Sequence, residues 1–322
     1  MLERLRTRFL AGDATQGPYW TSPADLANYD FTYGKRIAWK WDAVLQELDQ
    51  RGWKPRPAAV LDWGCGSGVA GRRVTHWLGA DRVTALRVWD HSALAADFAA
   101  QTAQARFPKL RVEHVTPGFL AGDEPVGVLV ISHVLNELPA AELLALRELA
   151  ARAAAILWVE PGTPEVSRAL IEVREQLRGR FRLVAPCTHQ AACGLLAPDN
   201  ARHWCHHFAP PPSEIFTDSD WVKFGRRAGI DLRSLPCSFL VLERRPEKAG
   251  VDPDLARVIG EPRIYKGFAK VLSCDATGVA ELTVQKRDAP GLFKQLKRPT
   301  GALVYHWTRS GDKIHDGQPL AG

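Results

Sequence analysis

The residues best suited to chemistry form a glycine-rich loop, Asp62-Trp-Gly64-Cys-Gly66-Ser-Gly68, between an apolar run and a helical pattern. Glycine lets the backbone turn at positive φ and lets a ligand approach the main chain closely. A dinucleotide-binding loop would read G-x-G-x-x-G, whereas the spacing here is G-x-G-x-G with an acid two residues before the first glycine. A second acid, Asp90, ends the next apolar run 28 residues after Asp62. The spacing predicts a ligand-binding loop, and a loop that binds nothing is the alternative.

The loop, the following helix and strand, and the terminal acid together resemble the first two motifs of the class I S-adenosylmethionine-dependent methyltransferases. The resemblance implies that Asp62 orders the loop and the amino-acid end of the cofactor, and that Asp90 accepts hydrogen bonds from the ribose hydroxyls. The glycines that would line the cofactor are Gly64, Gly66 and Gly68. Ser132, at the end of the fourth apolar run, is a further candidate for a cofactor contact. Cys65, inside the loop, is expected to be a small buried residue and not a nucleophile.

The fourth apolar run ends in Ser132-His133-Val-Leu-Asn136-Glu137-Leu. Many amino-directed nucleic-acid methyltransferases carry an Asn/Asp-Pro-Pro-aromatic motif at this place, and C5-pyrimidine methyltransferases use a cysteine; this chain has neither there. His133 and Glu137 are candidates for a general base or for substrate contacts. The alternative is a hydrogen-bonding role at a helix entry, without chemistry. The sequence therefore predicts cofactor binding more firmly than methyl transfer.

A second constellation has the spacing C-x5-C-x11-C-x68-C and consists of Cys187, Cys193, Cys205 and Cys274. The first three lie in an irregular, proline-rich stretch among four histidines, namely His189, His203, His206 and His207. In a reducing compartment such a stretch favours a metal, since it has little core of its own. Four thiolates, or three with one imidazole, suit tetrahedral zinc, and four thiolates suit a cubane iron–sulfur cluster.

The cysteine spacing does not choose between zinc and a cluster. It lacks the paired C-x2-C knuckles of a zinc ribbon and also the C-x3-C-x2-C triad by which radical enzymes cleave S-adenosylmethionine, so a cluster here would be structural. Simple burial of the thiols is the alternative to a metal. Cys237 is expected to be a core residue outside the group.

Charge is distributed unevenly along a chain whose net charge is +6. Residues 1–179 carry 21 basic and 21 acidic side chains, whereas residues 257–313 carry 11 Lys/Arg and five Asp/Glu. A basic end on a neutral scaffold favours a polyanionic partner, and a solvated basic surface is the alternative. Tyr265, Phe268 and Phe293 are candidates for stacking on bases or for core packing. The candidate phosphate contacts are Arg263, Lys266, Lys270, Lys286, Arg287, Lys294, Lys297 and Arg298.

These residues must be positioned by a framework in which apolar runs alternate with helical patterns. With 46% hydrophobic and 24% charged residues, the composition is that of a globular protein. The alternation is typical of a mostly parallel α/β sheet covered on both faces, which binds ligands at the carboxyl ends of its strands. The predicted strands are 58–64, 83–90, 110–115, 126–134, 155–162 and 238–245, and the predicted helices are 69–79, 92–105, 139–153, 164–179 and 219–229.

The predicted organisation has three parts. Residues 1–57 form an N-terminal helical region, and residues 58–245 form a Rossmann-like methyltransferase domain with a Cys/His-rich insertion at 185–213. A linker at 244–254 leads to a small, basic, β-rich module at 255–322, where apolar residues alternate with a period of two. No uncharged apolar stretch is long enough to span a bilayer, and the N-terminus lacks the apolar core of a signal peptide. We therefore expect a soluble intracellular protein without membrane association.

Several phrases together resemble one family, the methyltransferase-like assembly factors of the mitochondrial small ribosomal subunit and their bacterial relatives. The phrases are SHVLNEL (132–138), WVEPGTP (158–164), APC-T-H-xxx-C (185–193), HWCHHF (203–208) and GFAKVLSCDATG (267–278). The resemblance runs over nearly the whole chain and implies a class I methyltransferase fold, association with small-subunit ribosomal RNA during assembly, and a [4Fe–4S] cluster. The ligands that it implies are Cys187, Cys193, Cys205 and Cys274. Since Cys274 lies in the β-rich tail, the cluster would attach that module to the rest of the protein.

Three functions from different classes are compatible with the sequence. The first is an S-adenosylmethionine-dependent RNA methyltransferase that acts on the small ribosomal subunit. The second is a non-catalytic assembly factor that binds small-subunit ribosomal RNA through its basic tail. The third is a small-molecule methyltransferase whose insertion holds zinc. We expect a monomer, located in the bacterial cytoplasm or, in a eukaryote, in the mitochondrial matrix.

Overall fold

The computed structural model describes residues 20–244, 254–299 and 301–320. Its helices are α1 (Pro23–Tyr29), α2 (Lys35–Gln50), α3 (Val69–Leu78), α4 (Ala93–Arg106), α5 (Pro117–Ala121), α6 (Ala140–Ala150), α7 (Pro164–Leu177), α8 (Glu214–Thr217), α9 (Ser219–Ala228) and α10 (Pro290–Lys297). A π-helical turn, Asp30–Gly34, joins α1 to α2, and 3-10 helices cover Gly194–Leu196 and Pro198–Asn200. Its strands are β1 (Ala58–Trp63), β2 (Val83–Trp89), β3 (Val112–His114), β4 (Val126–Ser132), β5 (Ala153–Pro161), β6 (Arg182–Ala185), β7 (His207–Ala209), β8 (Leu235–Glu243), β9 (Leu255–Ile264), β10 (Phe268–Asp275), β11 (Gly278–Gln285), β12 (Val304–Ser310) and β13 (Lys313–Pro319).

The described chain divides into two compact units. The first comprises the described residues up to Leu45 together with Lys54–Glu160 and Ala209–Pro236. The second comprises Gln46–Trp53, Pro161–Phe208 and the described residues from Cys237 onward. The glycine loop therefore belongs to the first unit and the four-cysteine constellation to the second. The three-part organisation expected from the sequence stays a prediction.

The first unit is built on five parallel strands in the order β3-β2-β1-β4-β5. Their central residues are buried, as near-continuous apolar runs such as Val128–Ile131 require in strands covered on both faces. Strand β1 lies between β2 and β4, where the strand order reverses. The loop after β1 therefore faces the crevice in which sheets of this kind bind ligands. The α/β fold expected from the sequence is confirmed.

Helices precede the sheet, as the sequence predicts, and a π-helical turn lies between two of them. Ser22 caps α1, since its hydroxyl accepts a hydrogen bond from the backbone N–H of Asp25 at 3.2 Å. Helix α2 buries Trp41 completely. Isolated π-helical turns are rare and occur frequently at functional sites, and this one carries Asp30. Residues 1–19 of the expected helical region lie outside the described residues.

The second unit contains two β structures. In one of them β6 and β8 run antiparallel and β7 pairs with β8. In the other, β9 to β13 close into a barrel in the order β10-β11-β13-β12-β9. Its paired strands are antiparallel except β11 and β13, which are parallel. This order, with helix α10 after the third strand, is that of the OB-fold.

The interior of the barrel is apolar and takes residues from the strands and from α10. The buried residues include Val258, Val271, Leu282, Val284, Leu292, Phe293 and Leu296. The expected β-rich C-terminal module is therefore confirmed. Of the two roles expected for Phe293, base stacking and core packing, the structure shows core packing.

Differences from the expected elements lie mainly at their ends. Strand β3 has three residues where six were expected, since it is at the sheet edge and pairs only with β2. Strand β8 begins at Leu235, three residues earlier than expected. Residues 245–253 of the expected linker lie outside the described residues. No helix in the described part of the chain is long and apolar enough to cross a bilayer.

A buried ion-pair network lies in the second unit. Glu47, in the last turns of α2, pairs with Arg51 at 2.8 Å and with Arg257 on β9. All three side chains are nearly inaccessible to solvent. Arg51 also donates to the backbone carbonyls of Val184 and Cys187, at 2.9 and 3.2 Å. Glu47 therefore neutralises two arginines, one of which holds the segment that carries Cys187.

Glu47→Ala is expected to lower the free energy of unfolding by about 3–5 kcal/mol, because it leaves two buried arginines without their counter-charge. Urea and thermal unfolding followed by circular dichroism measure the loss. Glu281→Ala is the matched control, since it removes the exposed ion pairs of Glu281 with Arg263 and Lys270. The control is expected to cost less than about 1 kcal/mol. Equal losses in the two variants would contradict this account of the network.

Candidate functional site

The glycine loop connects β1 to α3 and turns at its three glycines. Gly64, Gly66 and Gly68 have φ values of +65°, +51° and +78°, which glycine adopts without steric cost. A Cβ on Gly68 would lie 2.8 Å from the Cβ of Ala99, so α4 packs closely against the loop. A Cβ on Gly66 would meet no heavy atom within 4 Å. The loop is thus closed by packing beside Gly68 and open beside Gly66.

Asp62 lies on β1 beneath this loop, and its carboxyl group is buried. Oδ2 accepts a hydrogen bond from the backbone N–H of Gly71 at 2.9 Å, whereas Oδ1 has no hydrogen-bond partner among the described residues. Burial raises the pKa of Asp62 from 3.8 to about 7, and the Gly71 hydrogen bond and the charge of Arg72 oppose that rise. The site therefore contains one buried carboxyl oxygen without a donor.

Asp90 follows β2, and its carboxylate contacts the same loop. Oδ2 accepts from the backbone N–H of Gly66 and Oδ1 from that of Ser92, each at 2.9 Å. Burial raises the pKa of Asp90, and the two hydrogen bonds oppose this rise. The indole rings of Trp63 and Trp89 stack at the two strand ends with centroids 4.8 Å apart. The structure thus brings both predicted acids to the glycine loop.

A third carboxylate, which the sequence analysis missed, also contacts the loop. Asp30, in the π-helical turn, accepts from Ser67 Oγ at 2.8 Å and from Arg72 Nη2 at 2.6 Å. Arg72 Nη1 donates to Ser67 O at 2.6 Å and to Thr102 Oγ1 at 2.8 Å. These contacts fix the loop from the N-terminal side. An acid within a helical pattern carries no signal of such a role.

A chain of hydrogen bonds joins the end of β4 to helix α2. Lys40 Nζ lies 3.2 Å from His133 Nε2, and His133 Nδ1 lies 3.1 Å from Ser132 Oγ. Trp41 Nε1 donates to Ser132 Oγ at 3.0 Å. Because a lysine ammonium can only donate, His133 Nε2 accepts and the ring proton is on Nδ1. Ser132 Oγ therefore accepts twice, from Trp41 Nε1 and from His133 Nδ1.

His133 has the properties of a residue that positions others. Burial and the charges of Lys40 and Arg36 hold its pKa well below the usual range, so the ring is neutral. Its φ of +58° is uncommon outside glycine and is typical of functional positions. The Nε2 lone pair that a general base needs for its substrate faces Lys40. The catalytic roles of His133 and Glu137 stay predictions, and the geometry favours positioning for His133.

A buried carboxylate at the end of β5 holds the turn after β4. Glu160 accepts from the backbone N–H groups of Val134 and Leu135 at 3.1 and 3.3 Å, and from Trp158 Nε1 at 2.6 Å. Burial raises its pKa from 4.5 to about 7, the hydrogen bonds oppose the rise, and nearby Glu137 adds to it. Glu160 lies within the phrase WVEPGTP, so the sequence contained a signal for it. Its role follows only from the pairing of β4 with β5.

The second unit brings the four predicted cysteines together. Cys187 follows β6, Cys193 precedes the first 3-10 helix, Cys205 precedes β7, and Cys274 lies on β10. Burial raises the pKa of Cys274, and the other three thiols raise it further, so all four lie within electrostatic reach of one another. The apolar residues packed with them are Ile171, Leu195, Ile259, Leu272 and Val279. Cys237 is buried on β8, as expected for a core residue.

Charged and aromatic nitrogens surround the four sulfurs. The contacts are Arg174 Nε to Cys187 Sγ at 3.2 Å, His189 Nε2 to Cys274 Sγ at 3.6 Å, and His207 Nε2 to Cys205 Sγ at 3.6 Å. Burial raises the pKa of Cys205, while the charges of Arg257 and Arg174 oppose that rise. The other two predicted histidines point elsewhere: His203 Nε2 accepts from Arg202, and the His206 ring stacks on Trp204. No sequence pattern indicated that Arg174 and Arg257 lie beside the cysteines.

A single-ion site is not formed by these side chains. A tetrahedral zinc ion needs its donors within about 2.0–2.3 Å of one point, and no three His, Cys, Asp or Glu side chains converge in this way among the described residues. A cubane cluster differs, because each thiolate binds a different iron and the sulfurs surround the cluster. The structure therefore groups the predicted ligands, and the metal itself stays a prediction.

The candidate phosphate contacts differ in their partners. Arg263 and Lys270 both pair with Glu281, and Arg287 pairs with Asp288 at 3.2 Å. Lys286 Nζ lies 5.9 Å from the ring centroid of Phe293. The remaining four have exposed side chains without an ion pair in the described part of the chain, namely Lys266, Lys294, Lys297 and Arg298.

Comparisons with other proteins give one family and several similar folds. A family model described as "Mitochondrial small ribosomal subunit Rsm22" matches residues 35–301, and no curated protein matches the chain. Magnesium protoporphyrin IX methyltransferase from Synechocystis PCC 6803, with bound S-adenosylmethionine, is 14% identical, with 76% of this chain and 97% of that one covered and a TM-score of 0.42. N-methyltransferase NodS from Bradyrhizobium japonicum WM9 is 12% identical, with 63% of this chain and 84% of that one covered and a TM-score of 0.38. 23S rRNA methyltransferase ErmE is 14% identical, with 64% of this chain and 70% of that one covered and a TM-score of 0.32. At these identities and TM-scores, the solved structures carry no argument about function.

The raised pKa of Asp62 makes the stability of the fold depend on pH. The folded chain keeps a proton on this carboxyl group that the unfolded chain releases above pH 3.8. The stabilisation is therefore complete below pH 3.8 and is lost as the pH rises to about 7. We expect the free energy of unfolding to fall over this range by up to about 1.4 kcal/mol per pH unit from this group. Urea unfolding at a series of pH values measures the slope.

Asp62→Asn removes this titration, while the amide oxygen can still accept from Gly71, so the slope is expected to become shallower. Asp97→Asn is the matched control, because the Asp97 side chain is 62% exposed, and it is expected to keep the wild-type slope. A wild-type slope in Asp62→Asn would show that this carboxyl group does not carry the pH dependence.

Proposed function

The chain belongs to the Rsm22 family of the mitochondrial small ribosomal subunit, and on this premise we propose that it binds S-adenosylmethionine and methylates the RNA of an assembling small ribosomal subunit. The membership confirms the family resemblance drawn from the sequence phrases. A non-catalytic role in the assembly of the same subunit is the second candidate function.

One observation carries the cofactor proposal: Oδ1 of Asp62 is buried, receives no hydrogen bond from any described residue, and lies beneath a loop that is open beside Gly66. Buried polar atoms are almost always hydrogen-bonded, so this oxygen fits a ligand that brings a donor, as the ammonium group of S-adenosylmethionine does. Asp90 adds an acceptor for ribose hydroxyls: Oδ2 receives only the N–H of Gly66, whereas Oδ1 receives that of Ser92 and lies 3.3 Å from His91 Nδ1. The residues present therefore fit the cofactor.

S-adenosylmethionine, when bound, supplies a methyl group on a sulfonium sulfur. The residues of the chain would bind and orient it: Asp62 and Asp90 would accept hydrogen bonds, and Ser132 would donate its hydroxyl proton at the end of β4. The glycines Gly64, Gly66 and Gly68 let it approach the main chain. We assign His133 the positioning of Ser132, and Glu137 is the remaining candidate for a general base.

The second candidate rests on the environment of His133. Its lone pair faces the ammonium group of Lys40 at 3.2 Å, and its pKa is depressed, so the end of β4 is organised without a free base at this position. A protein with an intact cofactor loop and such a turn would use S-adenosylmethionine as a bound ligand during assembly. The test of methyl transfer below separates the two functions.

Contact with ribosomal RNA is assigned to the basic side chains of the C-terminal barrel and of α10. Lysine and arginine side chains bind RNA by neutralising phosphates and releasing counterions, so the affinity falls steeply with salt. The residues assigned are Arg263, Lys266, Lys270, Lys286, Arg287, Lys294, Lys297 and Arg298. The protein would act as a monomer where small subunits assemble, in the mitochondrial matrix or the bacterial cytoplasm.

The four grouped cysteines are assigned to a structural [4Fe–4S] cluster. Four thiolates carry negative charge, and the buried Arg174 and Arg257 lie beside them. Arg174 donates to Cys187 Sγ, a contact of the kind that tunes such centres. The donor set therefore fits a cluster. It would tie β10, through Cys274, to the segment that carries the other three cysteines.

Gly66→Ala is expected to weaken S-adenosylmethionine binding at least about tenfold, because its Cβ would occupy the open space beside the loop. Isothermal titration calorimetry measures the affinity. Gly52→Ala is the matched control: Gly52 has a φ of +62°, and a Cβ there also meets nothing within 4 Å. Both variants bear the same backbone cost of about 1–2 kcal/mol, and only Gly66→Ala fills the loop. Equal affinities would contradict the cofactor site.

The same proteins decide between the two functions when they are supplied with labelled S-adenosylmethionine and small-subunit ribosomal RNA or immature subunits. Label transferred by the wild type and lost in Gly66→Ala supports the methyltransferase. Cofactor and RNA binding without transfer supports the assembly factor. A wild-type protein that binds no cofactor overturns the proposal.

Protein purified without oxygen is expected to be brown and to contain iron and sulfide at about four each per chain. Cys274→Ala is expected to lose this iron, whereas Cys237→Ala, at a buried cysteine outside the group, should retain it. Visible absorption together with iron, sulfide and zinc analysis measures the outcome. Zinc without iron identifies the alternative metal, and a metal-free wild type shows that the ligand assignment is wrong.

A further inference from the structure

The outward side of β10 and β11 is divided between a covered and an open part. Residues alternate along β10, so that Phe268, Lys270, Leu272 and Cys274 point out of the barrel. Leu272 and Cys274 pack with the cysteine-containing segment, against Leu195. Phe268 and Lys270 lie at the other end, opposite Gln285 and Thr283 of β11. We call this second part, with the turn at residues 265–267, the open face.

Two stacked aromatic rings form one end of the open face. The rings of Tyr265 and Phe268 are 4.5 Å apart and inclined by only 13°, and the backbone N–H of Tyr265 donates to Phe268 O at 2.8 Å. Tyr265 is the outer ring and is 44% exposed. An aromatic ring that is supported from behind and open in front is a ready platform for a planar partner.

The surroundings of this platform are basic. Residues 263–287 carry five Lys/Arg and two Asp/Glu. Lys286 is next to the turn, since its backbone N–H donates to Gly267 O at 2.9 Å, and Lys266 is exposed in the turn itself. Arg263 and Lys270 are held side by side by Glu281. A planar aromatic ring among cationic side chains fits a nucleobase attached to its phosphate backbone.

The barrel topology points to the same place. In OB-folds, oligonucleotides bind across the second and third strands, between the loop that joins strands one and two and the loop that joins strands four and five. Tyr265 lies in the first of these loops. The second loop borders the same face, because the backbone N–H of Thr283 donates to Asp312 O at 2.8 Å.

We propose that the open face is a binding site for single-stranded RNA, in which an unpaired base stacks on the exposed ring of Tyr265 and its phosphates contact Lys266 and Lys286. This rests on the proposed function and specifies the RNA that it recognises. A base within a duplex has neighbours on both faces and cannot stack on a protein ring, whereas a base in a loop or at an end can. The site therefore selects unpaired segments.

The test uses the full-length protein and a fluorescent oligouridine of about 12 nucleotides, a length that spans one OB-fold, beside an RNA duplex of equal length. Tyr265→Ala is expected to weaken binding of the single strand about tenfold, the loss typical of one stacked base. Tyr265→Phe should restore the affinity, because it keeps the ring. Phe216→Ala, which removes an exposed aromatic ring of the first unit, is the matched control and should bind as the wild type does.

Salt dependence separates stacking from charge. Tyr265→Ala should keep the wild-type slope of affinity against salt, while Lys266→Ala together with Lys286→Ala should reduce it. Unchanged affinity in Tyr265→Ala, equal losses in Tyr265→Ala and Tyr265→Phe, or tighter binding of the duplex would each overturn the proposal. In these cases the wild type still binds RNA and the proposed function stands. If the wild type binds neither the single strand nor the duplex, both the single-strand site and the proposed contact with ribosomal RNA are wrong.

Discussion

The first unit depends on one constraint, which is that the backbone N–H groups exposed where parallel strands end must find acceptors inside the protein. Parallel strands all lead into turns at the same edge, and buried turns cannot leave these groups to water. Three carboxyl groups meet the need. Asp62 accepts from Gly71, Asp90 from Gly66 and Ser92, and Glu160 from Val134 and Leu135. Burial raises the pKa of all three, so the protein builds this edge at an electrostatic cost.

The same constraint decides which carboxyl group has acceptors left for a ligand. A carboxylate offers about four lone-pair sites. Glu160 receives three N–H groups, counting that of Trp158, and these hydrogen bonds occupy most of its lone pairs. Asp90 receives two backbone N–H groups and lies 3.3 Å from His91 Nδ1, whereas Asp62 receives one, and no described residue donates to its Oδ1. The capacity to bind a ligand is therefore concentrated at the glycine loop, where the two less occupied acids lie.

Sequence patterns predicted what is local and missed what depends on pairing between distant segments. The strands, the loop and Asp90 were predictable because their signals are runs, spacings and turn residues within about 30 positions. Asp30, Lys40 and Arg174 were not, since nothing marks a charged residue in a helix as the partner of a group that is far away in the chain. Barrel closure was missed for the same reason: a two-residue period predicts strands but not their order. The sequence left base stacking and core packing open for Phe293, because a ring on a short helix gives the same pattern whether it faces a core or a ligand.

Charge balance in the second unit gives its cysteine group a physical meaning beyond proximity. Three largely buried arginines, Arg51, Arg174 and Arg257, meet two carboxylates, Glu47 and Glu175. Neutral thiols would leave this group of side chains with one excess positive charge away from water, which is unfavourable. Thiolates would supply the missing negative charge, and a bound metal keeps thiols deprotonated at neutral pH. Burial raises the pKa of Cys205 and the charges of Arg257 and Arg174 oppose that rise, so these arginines would stabilise the thiolates of the proposed cluster.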